Sequence, residues 1–372
     1  MTLRDYLVSE LRSLDEAGLL RRRSLGVPPT PELVDVCTND YLGYARRVVS
    51  RETSARAGAG ASRLIYGTDA THLALERELA RWVGADAALL FPSGFAANMG
   101  VLSGLTREGD LIVSDQLNHA SIIDGCRLSR ARVAVVPHLD LTAIDRALAT
   151  PVPGRRWLVS ETYFSMDADS PDLPALKALC AKHDAFLILD EAHALGVFGP
   201  EGSGLARARG VIPDVLVGTL GKAVGVQGAF VAGSSELADL LWTRARSFVF
   251  TTAPSPVLVE LTLEAVRGVV TDDRARAALA ELARRLEDKL STRPGLLPAR
   301  RHGPIFPVLL GTPDQAVRAA AALRDHGFLA QAIRPPTVPA GSSRLRVALH
   351  ADMPVATVDR LAGALLDVCA AS

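Results

Sequence analysis

Apolar residues along this chain switch between two periods. Leu3, Leu7, Leu11, Leu14 and Leu19 recur at near-helical spacing and run into Arg21-Arg22-Arg23, which predicts an amphipathic N-terminal helix. Pro28, Pro29 and Pro31 then interrupt any regular element. From about residue 70, short unbroken apolar runs alternate with helical stretches. Helices are predicted over 71–83 and 96–105, and strands at 87–91 and near 111–114, 131–136, 156–160, 185–189, 213–217 and 228–232. A helical stretch over 173–183 separates two of these strands. Unbroken apolar strands between helices are the pattern of a mostly parallel sheet covered on both faces. After Pro254 and Pro256 come a helix to about 268 and a charged helix over 273–291. Strand 305–310, helix 314–326, strand 344–349 and helix 355–369 follow. The expected fold is α/β in three parts: an N-terminal helix and extended segment (1–45), a large, mostly parallel sheet domain (46–270) and a smaller C-terminal α+β domain (271–372).

Composition changes that picture little. A chain of 372 residues can bury a substantial core. Lys+Arg and Asp+Glu balance at 41 each, so bulk charge points to neither nucleic acid nor an anionic membrane as partner. Cys37, Cys126, Cys180 and Cys369 form no CxxC pair and read as reduced thiols rather than a disulfide frame or zinc site. No apolar run reaches the roughly 20 residues that span a bilayer. Met1-Thr2-Leu3-Arg4-Asp5 lacks the apolar core of a secretion signal. The expected compartment is the cytoplasm, and no His/Cys spacing calls for a metal.

The chemistry concentrates at two strand ends. Ala185-Phe186-Leu187-Ile188-Leu189 delivers Asp190, in Asp190-Glu191-Ala192-His193, and Val215-Leu216-Val217 leads to Lys222 in Thr219-Leu220-Gly221-Lys222. An acid and an amine delivered this way meet the needs of pyridoxal 5'-phosphate (PLP). The amine condenses with its aldehyde, and the acid keeps its ring nitrogen protonated. Ser93-Gly94-Phe95 closes one strand and opens a helix, whose free N–H groups and dipole suit a phosphate. Thr219 can turn its hydroxyl to the same group. His119 follows a strand, where an imidazole either stacks on the pyridine ring or caps a helix. His193 lies on the same strand-end turn as Asp190 and is assigned to the phenolic oxygen; Ser165 can reach that oxygen or the substrate. Arg344 and Arg346 alternate on one strand face, where a guanidinium can grip a carboxylate with two parallel hydrogen bonds. Gly58-Ala59-Gly60-Ala61-Ser62-Arg63 lacks the third glycine of a dinucleotide fingerprint, and Gly221-Lys222-Ala223 lacks the Ser/Thr of a P-loop.

Taken in order, Asn39-Asp40-Tyr41-Leu42-Gly43, Gly58-Ala59-Gly60-Ala61-Ser62-Arg63, Ser93-Gly94-Phe95-Ala96-Ala97-Asn98, Asn118-His119-Ala120-Ser121, Phe164-Ser165-Met166-Asp167, Asp190-Glu191-Ala192-His193 and Thr219-Leu220-Gly221-Lys222 give the chain a family likeness. It resembles the α-oxoamine synthases, PLP enzymes of the aminotransferase-like fold type I, from the Arg21 region to about residue 350. The resemblance implies decarboxylative condensation of an amino acid with an acyl thioester, in a homodimer with active sites at the subunit interface. Ala332-Ile333-Arg334-Pro335-Pro336-Thr337-Val338-Pro339-Ala340-Gly341 is especially similar to the member that joins L-alanine to pimeloyl-CoA or pimeloyl-carrier protein. Glycine- and serine-using members, and a protein that only binds the cofactor, are the alternatives. By motif position the resemblance implies Arg21 and Thr337 in substrate binding, and Asn39 with Arg346 at the amino-acid carboxylate. It also implies His119 stacked over the cofactor, with Gly94, Phe95, Ser165, His193 and Thr219 holding PLP. The chain departs from the family pattern in a short 43–58 segment, in Tyr66 where a small residue is usual, and in Ala168 where glycine is usual.

Overall fold

The computed structural model describes residues 1–16, 20, 33–47, 53–335 and 337–370. Its centre is a seven-stranded sheet made of β1 (Ala87–Phe91), β2 (Leu111–Asp115), β3 (Arg132–Val136), β4 (Arg156–Glu161), β5 (Ala185–Asp190), β6 (Val215–Thr219) and β7 (Ala229–Gly233). The order across the sheet is β1-β7-β6-β5-β4-β2-β3. β7 runs antiparallel to both neighbours, and the remaining pairs are parallel. Successive residues of one strand feed opposite cores. Leu187 and Leu189 join one apolar cluster and Ile188 the other, as the pleat of a doubly covered sheet requires.

Helices α1 (Leu3–Glu16), α2 (Ala70–Val83), α3 (Gly94–Leu105) and α4 (Ala120–Leu128) have identifiable starts or faces. Asp69 caps α2 and Ser93 caps α3, each side chain accepting a first-turn N–H. Helix α1 buries none of its residues, and Leu19 of the predicted helix lies outside the described residues. Helices α5 (Pro256–Thr271) and α6 (Asp273–Leu290) meet at Asp272, whose side chain caps α6. Beyond them β8 (Ile305–Gly311), β9 (Gln331–Ile333) and β10 (Ser343–Ala348) form an antiparallel sheet in the order β9-β10-β8.

The segment over 34–46 ties the two sheets together. Val34 and Asp35 pair in parallel with Phe328 and Leu329, and the Val36 carbonyl accepts from the Ala348 N–H at 2.8 Å. Further on, Tyr44 and Ala45 press against Gly225 in the turn that follows Lys222. This segment carries Asn39 and Tyr41 to the carboxyl ends of the parallel strands, the side on which ligands bind in open α/β sheets.

Candidate active site

Several polar groups of the site stand at the end of a buried strand or the start of a helix. Asp190 closes β5, and its carboxylate is fixed from two directions. Oδ2 accepts from Asn98 Nδ2 at 2.7 Å, and Oδ1 accepts from the Ala192 N–H at 2.8 Å. Asn98 lies one turn into α3 and also donates to Ser121 Oγ at 2.9 Å. Lys222 stands three residues past β6, half-buried. Burial pushes its pKa down to about 8, against the pull of the Asp190 and Glu161 carboxylates and with a further push from Arg346. An amine at that level is partly neutral near neutral pH, the form that condenses with an aldehyde or removes a proton.

The start of α3 forms a cradle. A Cβ on Gly94 would sit 3.8 Å from Thr219 Oγ1, so any side chain there would project into the space that both residues border. Phe95, beside it, is part-exposed. His119 is the N-cap of α4: its Nδ1 accepts from the Ser121 N–H at 3.2 Å. The helix-capping alternative is therefore present in the structure. It leaves Nε2 and the ring face uncommitted, and burial lowers the pKa of the ring.

A relay of donors links the remaining groups. Arg346 Nη2 donates to Asn39 Oδ1 at 2.8 Å and reaches Tyr41 Oη at 3.4 Å, while Nε donates to the Ser165 carbonyl at 2.8 Å. Tyr41 Oη lies 2.7 Å from His193 Nδ1. Burial, then the positive charges of Lys222 and Arg346, holds His193 well below its ordinary pKa, so the ring is neutral. The Tyr41 hydroxyl also lies 3.3 Å from Asn39 Oδ1; with the shorter contact to Nδ1 taken as its donor bond, the remaining proton of His193 falls on Nε2.

Arg344 is committed differently. Its Nη1 donates to Asp167 Oδ1 at 2.8 Å and to the Met166 carbonyl at 2.7 Å. Arg346 meets only uncharged acceptors among the described residues and keeps its charge available.

The structure thus brings Asn39, Asp190, His193, Lys222 and Arg346 within hydrogen-bonding or electrostatic reach of one another, with the Ser165 carbonyl on Arg346 and Gly94, Thr219 and His119 at strand and helix ends. It does not bring Thr337 into that hydrogen-bonded group: Thr337 is exposed on a turn, its N–H donating to the Arg334 carbonyl at 3.1 Å. Arg21 lies outside the described residues. Tyr66 is 72% exposed on a π-helical turn over 63–67, so it fills no gap among the described residues. Ala168 is buried with φ 56°, the left-handed region that explains why glycine is usual there. Three groups escaped the sequence reading as site residues: Asn98, Tyr41 and Glu161. Asn98 and Tyr41 sit inside quoted motifs, whereas Glu161 had only its place at the end of an apolar strand.

The seven-stranded sheet with one antiparallel strand, and a lysine and an acid at its carboxyl edge, define a protein of PLP fold type I. The chain belongs to the aminotransferase class I and II family, whose pattern matches residues 31–365. Among its relatives, the 8-amino-7-oxononanoate synthase of Anaeromyxobacter dehalogenans is 47% identical, covering 98% of this chain and 95% of the relative. A solved serine palmitoyltransferase variant from S. paucimobilis, described with a bound PLP–myriocin adduct, superposes with a TM-score of 0.89 at 27% identity, covering 99% and 97%. The solved 8-amino-7-oxononanoate synthase of Francisella tularensis gives 0.76 at 26% identity, covering 91% and 97%.

Proposed function

We propose that this chain is a cytoplasmic, PLP-dependent acyltransferase. It condenses L-alanine with a pimeloyl thioester, on CoA or a carrier protein, to give 8-amino-7-oxononanoate, CO2 and free thiol. The observation that carries the chemistry is the Lys222 amine within electrostatic reach of Asp190 and Arg346, a guanidinium that no carboxylate neutralises among the described residues. The likeness to curated 8-amino-7-oxononanoate synthases over nearly the whole chain supports the choice of substrates. We read residues 46–270 as the cofactor-binding part and the residues after 270 as a smaller part that supplies Arg346.

The residues present fit the cofactor. Lys222 would hold its aldehyde carbon, Asp190 its ring nitrogen and His193 Nε2 its phenolic oxygen. The α3 N–H groups at Gly94 and Phe95, with Thr219, would take its phosphate. His119 would cover one face, and Ser165 would border the phenolic side. When bound, PLP supplies an electron sink for the carbanion at the substrate Cα. Arg346 and Asn39 grip the alanine carboxylate and fix which Cα bond is presented. Lys222 Nζ, in its neutral form, would take the Cα proton. Arg21 and Thr337 are proposed for the acyl donor.

The chain is also proposed to work as a homodimer. Helix α1 presents Leu3, Leu7, Leu11 and Leu14 without burying any of them, and Ile65 and Phe250 stand 78% and 71% exposed near one another. Sedimentation should give twice the chain mass; a monomer at micromolar concentration would remove this part. Lys222→Ala should abolish both the visible absorbance band of the lysine-bound cofactor and turnover. L-Alanine should perturb that band more than glycine or L-serine, and thiol release should be fastest with pimeloyl-CoA among acyl-CoA donors. An unchanged band in Lys222→Ala would overturn the central assignment, whereas faster release with a palmitoyl donor would reassign the substrate alone.

A further inference from the structure

Glu161 is a buried acid that the proposed chemistry leaves without a role. It closes β4 in register with Asp190 on β5, so two carboxylic acids stand side by side at adjacent strand ends. Glu161 is 5% exposed. Its Oε1 accepts from the backbone N–H of His119 at 2.7 Å. The contact is reciprocated: the Glu161 N–H donates to Asn118 Oδ1 at 3.2 Å, and Asn118 Nδ2 donates to Ser114 Oγ at 2.9 Å and to the Val159 carbonyl at 3.0 Å. Residues 118–119 are therefore stitched to the end of β4 by their side chain and their backbone, immediately before α4 begins. On its other side His119 is held, among the described residues, by its own helix through Ser121.

We propose that Glu161 is a positioning residue, whose side-chain oxygen accepts the His119 N–H and thereby sets the pitch of the imidazole against the cofactor. This inference rests on the proposed PLP site. An orphaned His119 N–H would leave the peptide free to rotate, and the ring would follow it. The role needs an acceptor oxygen, not a charge. Burial, with the neighbouring Asp190 charge, drives the Glu161 pKa up to about 8, against the opposing pull of Lys222, so the group is mostly uncharged near neutral pH. A neutral acid beside Asp190 also avoids two buried like charges.

Two substitutions separate the acceptor from the charge. Glu161→Gln keeps an oxygen of the same reach, and Glu161→Leu keeps the volume without any acceptor. In the PLP-loaded protein, Glu161→Gln should retain the visible circular dichroism of the bound cofactor and its dissociation constant. Glu161→Leu should lose most of the dichroic signal and weaken PLP roughly tenfold, the fold-change of one buried donor left unpaired. A wild-type signal in Glu161→Leu overturns the proposal. So does a collapsed signal in Glu161→Gln, which decides the matter alone if the leucine variant does not fold. Failure of the wild-type protein to bind PLP would instead sink the functional reading beneath it.

Discussion

Arg344 and Arg346 differ only by one step along β10, yet their environments give them opposite roles. Arg344 is spent on Asp167, while Arg346 is held in place by neutral oxygens of Asn39, Tyr41 and Ser165. A planar fork held this way grips a carboxylate with two bonds, which an ammonium cannot reproduce. Arg346→Lys should therefore raise KM for L-alanine roughly tenfold, about 1.4 kcal/mol, with a smaller change in kcat. Equal KM values for the two proteins would move the carboxylate elsewhere. Tyr41→Phe tests the relay. It removes the proton donor to His193 Nδ1 and lets the neutral ring choose its tautomer. Turnover should fall roughly tenfold, the cost of about one hydrogen bond, while the visible band persists. Both tyrosine and asparagine of that relay sit in Asn39-Asp40-Tyr41-Leu42-Gly43, and the sequence carried Asn39 but not Tyr41. A residue type shows what it can donate, not which partner the fold will place beside it. Asn98 and Glu161 were hidden for the same reason, since their bonds to Asp190 and His119 join elements far apart in the chain.

At the scale of elements, unbroken apolar strings such as Ala185–Leu189 made the central strands legible, because a strand buried on both faces admits little else. The helices over 120–128 and 235–244 and the short strand β9 were not read as such. Gly125 and Cys126 dilute the period of α4, and three residues are too few to show any period. The turn after β6 holds a constraint that sequence alone could not reveal. Gly225 has φ 75°, and a Cβ there would lie 2.3 Å from the Ala45 nitrogen and 2.5 Å from the Tyr44 carbonyl carbon. These are backbone atoms that cannot move aside cheaply. Gly225→Ala should cost roughly 2–4 kcal/mol and, by lifting the 44–46 turn off the Lys222 loop, weaken cofactor binding. Gly60 is the matched control: its φ is 75°, but nothing among the described residues lies within 4 Å of the added carbon. Gly60→Ala should cost only about 1 kcal/mol. Chemical denaturation of the two variants measures the difference, and equal losses would mean that close packing of the 44–46 segment on Gly225 adds nothing.

Across the whole molecule, His138 joins three regions through its two ring nitrogens and its ring edge. Its Nδ1 lies 2.9 Å from Asp115 at the end of β2, and its Nε2 lies 3.1 Å from Asp169 in the loop that presents Ser165 and Asp167 to the two arginines. Its ring packs edge-on to Phe164, 4.5 Å between centroids. Burial alone would lower its pKa, but hydrogen bonds to Asp115 and Asp169, then their charges, raise it to about 9. The folded state therefore holds this proton between the ordinary histidine value and about pH 9, where the unfolded chain has released it. The contribution, on the order of 3 kcal/mol, is complete below about pH 6.5 and disappears as pH rises through about 9. Lys222 acts in the opposite sense. Its lowered pKa means that the folded state loses that proton first, so stability from this group rises with alkaline pH. Total stability mixes the two, and the difference between wild type and His138→Asn isolates the first. That difference should be largest near pH 6 and shrink toward pH 10, with urea midpoints converging as the histidine ring loses its charge. A gap that stays constant from pH 6 to pH 10 would show that His138 holds the loop by packing on Phe164 and not by charge.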